Sequence, residues 1–262
     1  MESFHQALAA IFCGGLSGLS LGLIGGGGSV LAVPMLIYLV GMSDPHMAIG
    51  TSALAVSLSA FVSLVPHARS GHVRWRTAGL FAVAGVAGAL FGSTVGKLLN
   101  GQKLLFLFAL VMMVVALLMV RRRAGGGDRA ECLGPECLLR VGGAGLSVGA
   151  LAGFFGIGGG FLVVPGLILA TGMPIIEAVG SSLVSVGAFG LTTAGNYAAS
   201  GLVDWLVAAE FIGGGVVGGW FGMRMAKRLS SSRKALNYVY AATVFSVGLY
   251  VMIRNLPAVG LS

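Results

Sequence analysis

The chain has 262 residues, of which 56% are hydrophobic and only 9% charged, with a mean hydropathy of +0.96. Soluble domains carry about 25% charged residues, so this chain has too few charges to clothe a water-exposed surface. The net charge of +8 could suit nucleic acid, but the basic residues gather in short loops beside apolar ends, where they orient a membrane protein. No nucleic-acid partner is expected.

Ten apolar segments follow one another, at about 7–23, 30–41, 47–66, 77–96, 103–120, 139–155, 161–172, 176–199, 206–226 and 235–253. Their runs are continuous, without the period-two alternation of barrel strands. The expected fold is all-α and polytopic, with the lipid bilayer as its surroundings. Most segments can cross a core of ~30 Å, which takes ~20 helical residues. The second and seventh, twelve residues each, are too short to span alone, and they are expected as broken or re-entrant helices. The start, "MESFHQ", lacks the basic residues of a cleavable signal peptide.

Both short segments open from a glycine stretch: "GLIGGGGSVLAVP" at 22–34 and "GFFGIGGGFLVVP" at 153–165. The halves repeat beyond these stretches. "AIGTSA" at 48–53 matches "AVGSSL" at 178–183, and "GHVRW" at 71–75 matches "GLVDW" at 201–205. Residues 71–99 and 201–229 share twelve identities in 29 positions, among them the pairs Trp75 with Trp205 and Lys97 with Lys227. The chain therefore divides into an N-terminal repeat at 1–120, a linker at 121–138 and a C-terminal repeat at 139–262, within one membrane domain.

If the segments alternate sides and the linker is cytoplasmic, 13 of the 16 Lys and Arg lie inside, leaving Lys97, Lys103 and Arg254 outside. That asymmetry is what the positive-inside rule expects. Both termini then face outward, across the inner membrane of a cell. Five segments per half is an odd number, so the repeats are expected to be inverted, as in many secondary transporters.

Glycine tolerates positive φ and leaves the backbone N–H groups bare. A glycine turn opening into a helix makes an anion site from those groups and the positive helix end. Two such breaks at matching points of inverted halves point to a midplane binding site. The candidate substrate-binding residues are Gly25, Gly26, Gly27, Gly28 and Ser29 in one half and Gly156, Gly158, Gly159 and Gly160 in the other. Close helix packing remains the alternative use of these glycines. Paired hydroxyls follow, Thr51 and Ser52 with Ser181 and Ser182; they could donate to an oxyanion, cap a helix, or bond a preceding carbonyl. Glu210, His67 and Asn196 are the ionisable or amide groups inside or closing apolar runs, and hence candidates for coupling or gating. Cys132 and Cys137 on the linker are expected as reduced thiols in the cytoplasm. They lack the further ligands of a metal site, and no metal or other cofactor is expected. No nucleophile, base and orienting group occur together, so the chain is not expected to be an enzyme.

The paired glycine stretches ending in "VP", the "AIGTSA" and "AVGSSL" pair and the two "GxVxW" turns resemble the TauE/SafE family of sulfite exporters. The resemblance covers residues 8–253 apart from the linker. It implies a two-halved permease for a small anion such as sulfite or an organosulfonate, working by alternating access. An anion channel and a proton-coupled importer of a sulfur anion or organic acid stay open as alternatives, as does a homo-oligomer.

Overall fold

A computed structural model describes residues 2–24, 29–121, 135–156, 158–228 and 233–256. These residues form ten helices: α1 (Glu2–Ile24), α2 (Ser29–Tyr38), α3 (Pro45–Arg69), α4 (Trp75–Leu98), α5 (Gly101–Arg121), α6 (Pro135–Phe155), α7 (Gly160–Thr171), α8 (Ile175–Ala198), α9 (Trp205–Arg228) and α10 (Arg233–Asn255). Each coincides with one apolar run of the sequence. Among the described residues, α3, α4, α6, α8 and α9 contain stretches long and apolar enough to cross a membrane. The protein is a polytopic helical membrane protein. Val83, Phe91, Leu139 and Leu206 stand exposed on its outside, which costs nothing where lipid replaces water. The two short helices have 10 and 12 residues, about 15 and 18 Å at 1.5 Å per residue, half of a bilayer core.

The helices pair in a regular way. α1 packs on α9 as α6 packs on α4; α3 crosses α9 as α8 crosses α4; α2 lies against α3 and α7 against α8. α3 and α8 pair with each other, as do α5 and α10. Exchanging every helix with the one five places along leaves these pairings unchanged.

Small residues bring the backbones together. A Cβ on Gly14, Gly18, Gly218 or Gly222 would run into backbone oxygens across the α1–α9 seam, and one on Gly88, Gly92, Gly149 or Gly153 would do the same between α4 and α6. In lipid no hydrophobic force draws helices together, so such close van der Waals approach supplies the association.

Cys13 is free and buried in α1. Cys137, in the first turn of α6, is disulfide-bonded. This corrects the expectation of a reduced thiol at Cys137. Cys132 lies outside the described residues.

Candidate functional site: the helix break and the crossing of α3 and α8

The second glycine stretch is a true break between α6 and α7. Gly156, Gly158 and Gly159 have φ of 68°, 65° and 71°, the left-handed region that a Cβ penalises. Gly159 is the N-cap of α7 and offers no side-chain cap. The first N–H groups of a helix have no intrahelical acceptor, so the start of α7 is a cluster of donors at the positive end of the helix. The break leans on both halves of the chain. An added Cβ on Gly156 would strike Ile49 of α3, and one on Gly158 would sit 3.5 Å from the Val186 carbonyl oxygen of α8. Gly160 is buried as the first residue of α7. Gly25, Gly26, Gly27 and Gly28 lie outside the described residues; Ser29, buried, begins α2.

The four hydroxyls split into two matched pairs. Ser52 donates to the Ile49 carbonyl at 2.9 Å and Ser182 to the Val179 carbonyl at 2.7 Å, each within its own helix. Thr51 and Ser181 instead reach across the molecule. The Thr51 hydroxyl oxygen accepts the Asp204 N–H at 3.0 Å, and the Ser181 oxygen accepts the Arg74 N–H at 2.9 Å. Those N–H groups belong to the two "GxVxW" turns, whose glycines, Gly71 and Gly201, have φ of 70° and 71°. Each turn carries the same backbone bonds: His72 N–H to the His67 carbonyl at 3.1 Å, and Leu202 N–H to the Tyr197 carbonyl at 3.0 Å. Gly50 and Gly180 complete the lock, since a Cβ on either would strike the turn of the opposite half at the Leu202 or His72 carbonyl. The two paired motifs are thus one device: the glycine admits the turn and the hydroxyl caps it. Both hydroxyls keep a hydrogen to donate elsewhere.

Several groups that sequence reasoning did not single out also lie here. Ser59 of α3, with Ser185, Thr193 and Tyr197 of α8, are buried with side-chain oxygens lacking a hydrogen-bond partner. Buried hydroxyls without partners are rare enough to require explanation, a bound water or ligand included; their signal in the sequence was only a polar residue in an apolar run. Arg74 and Glu177 form an ion pair between the first turn's end and α8.

Asn196, a candidate for coupling or gating, is held in a network. Lys97 Nζ donates to its carbonyl, its side-chain oxygen and the Ser200 hydroxyl at 2.9, 2.8 and 2.8 Å. Asn196 Nδ2 donates in turn to Ser93 at 2.6 Å and Thr94 at 3.1 Å. Lys97 was legible only as a terminal charge of its segment. Glu210 is half-buried in the second turn of α9, and His67 half-buried near the end of α3. The structure brings neither to the break. No group of three metal-ligating side chains occurs among the described residues.

The sulfite exporter TauE/SafE family profile matches residues 10–251. The chain belongs to this family. It is also 50% identical over 257 residues to a "probable membrane transporter protein" of Xylella fastidiosa (strain Temecula1), covering 97% of each chain. Similarity extends to the "probable membrane transporter protein YunE" of Bacillus subtilis, 27% identical over 230 residues, with 80% of this chain and 84% of that one covered. No solved structure matches the chain. This TauE/SafE member is therefore a multi-pass membrane protein of a transporter family, not an enzyme.

Proposed function

We propose that this protein is a secondary transporter exporting a small sulfur-containing anion, such as sulfite or an organosulfonate, through a site formed by the two glycine breaks. The break at Gly156–Gly160 carries the reading. Three left-handed glycines within four residues, Gly156, Gly158 and Gly159, lead into the start of α7, and a helix start of bare N–H groups suits an oxyanion without a compensating cation. The unpartnered hydroxyls of α3 and α8 offer neutral donors along the same crossing. A site without a buried arginine holds an anion weakly enough to release it, as turnover requires. The exchange symmetry of the helix pairings and the odd number of segments per half support inverted repeats moving about this site. The charge distribution supports a cytoplasmic linker and external termini. An inside-negative potential drives an anion outward at ~2.3 kcal/mol per charge per 100 mV, so export needs no coupled ion.

Purified protein in vesicles loaded with sulfite, thiosulfate, sulfoacetate or acetate tests this directly. Saturable efflux of the sulfur anions, lost in Gly158→Val, is the expected result. Ohmic current without saturation would make the protein a channel, and absence of both binding and flux for every sulfur anion would remove the substrate class.

A further inference from the structure

The crossing of α3 with α9 and that of α4 with α8 occupy equivalent places in the two halves, but they are built differently. Between α4 and α8 the space near the helix ends is closed by Lys97, Asn196 and Ser200. Between α3 and α9 the corresponding space is an open groove of about 790 Å³, walled by residues such as Val65 and Val217 and ending at Arg69 and Arg224. At an offset of 130 residues, Pro66 replaces the network's Asn196, and Arg224 stands where the other half has Thr94. Asn196, the centre of that network, thus has no amide counterpart in the other half.

The groove's chemistry is divided along its length. Val62, Val65, Val217 and Phe221 are exposed apolar side chains. The stretch from Val62 to Arg69 rises ~10 Å along α3 at 1.5 Å per residue, about a third of a bilayer core. Both arginines lie at the same end, at helix termini where a chain leaves the bilayer. Arg224 lies over the Trp220 ring at 3.7 Å from its centroid, which fixes the guanidinium plane and leaves its edge free to donate. Neither arginine pairs with a carboxylate among the described residues. No acidic residue occurs in α3, and the only one in α9, Glu210, is fourteen positions before Arg224.

We infer that this groove binds an anionic phospholipid, with an acyl chain along the valine wall and the headgroup phosphate between Arg69 and Arg224. Guanidinium groups take phosphate bidentately, a tryptophan suits the headgroup level, and basic pockets between membrane helices suit acidic headgroups. With the orientation proposed above, the lipid belongs to the cytoplasmic leaflet. A free phosphate would use the arginines but not the apolar wall.

Native mass spectrometry of detergent-purified protein, exchanged with equal phosphatidylglycerol and phosphatidylcholine, tests the site. Preferential retention of one phosphatidylglycerol is expected. The double variant Arg69→Gln, Arg224→Gln should weaken it about thirtyfold, the effect of two basic residues at an anionic surface. Val217→Trp should block the groove and lose the lipid with every charge kept. Both changes lie on the exposed surface, and an unaltered elution profile and thermal midpoint show that the variants fold. Inorganic phosphate should not compete at concentrations that leave the protein intact. Equal retention of both lipids, retention unaffected by the double variant, full displacement by inorganic phosphate, or a dimer cross-linked through Val217→Cys with no lipid present would each overturn the proposal.

Discussion

Glycine serves two opposite purposes in this molecule. In the seams of α1 with α9 and of α4 with α6 it is ordinary helix, and what matters is the missing side chain: backbones meet where a Cβ would stand. In the break before α7 the space around Gly158 is ample, its nearest neighbour to an added Cβ being 3.5 Å away; what matters there is the positive φ of 65°. The first use resists any side chain because two helices would have to separate. The second resists a side chain because one residue would have to change conformation. A seam glycine is therefore a folding residue, and a break glycine can be a functional one.

The largest effect is expected in the seams. Gly92→Leu or Gly218→Leu should prevent a stable monodisperse protein from being purified, because overpacking a tight contact costs at least ~1–3 kcal/mol and a leucine here meets backbone that cannot yield. Size-exclusion profiles of the fluorescently tagged variants check this; normal profiles would show the seams to be looser than described. Gly158→Val should insert and purify, since the left-handed region costs a side chain about 1–2 kcal/mol, yet lose sulfite binding and efflux. Unchanged binding would return the break to the class of packing devices.

Smaller effects sharpen the picture. Thr51→Ala strips the Asp204 N–H of its buried acceptor, a loss of about 1–3 kcal/mol, and should lower the thermal midpoint while Thr51→Ser keeps it. A midpoint unaffected by alanine, with anion affinity reduced, would assign the hydroxyl to ligand rather than to the turn. Lys97→Met should likewise destabilise the α4–α8 crossing, by about 2 kcal/mol for the loss of charged hydrogen bonds, read as a lower thermal midpoint with sulfite affinity unchanged. The smallest effect is expected from Cys132→Ser with Cys137→Ser, which should leave flux intact. Orientation is a separate test: the proposed topology has the linker in the cytoplasm, whereas a disulfide at Cys137 is more at home outside it. Charge governs insertion, so a tag at Ser262 should be accessible on intact cells.

The ten helices were legible because lipid demands long uninterrupted apolar runs, and such runs are plain in one dimension. The helix bounds were misjudged by a few residues: α2 ends at Tyr38 rather than 41 and α3 runs on to Arg69 rather than 66, while α1 begins at Glu2, since a helix continues past the bilayer through polar residues such as "ESFHQ" that hydropathy discards. The glycine break was legible as a break because its twin could be seen. Partners were not. Thr51 bonds a residue 153 positions away and Ser181 one 107 positions away. Nothing in "AIGTSA" or "GLVDW" alone says that each motif is half of one contact. Lys97 was not singled out for a similar reason: a cation at a segment's end carries no sign of a partner until Asn196 is brought beside it.

The crossed caps carry a consequence for how the chain becomes whole. Each half presents a turn whose leading N–H is satisfied only by the other half's hydroxyl, and each keeps a glycine shaped for a turn it does not own. A half produced alone is left with an empty socket and an uncapped turn. Two separately produced pieces, cut within the linker, carry complementary sockets and should find each other in the bilayer. Recovery of transport from the two co-expressed pieces would show that the covalent connection contributes proximity rather than structure, and that the crossed caps join the pieces as an interface joins two unlike subunits.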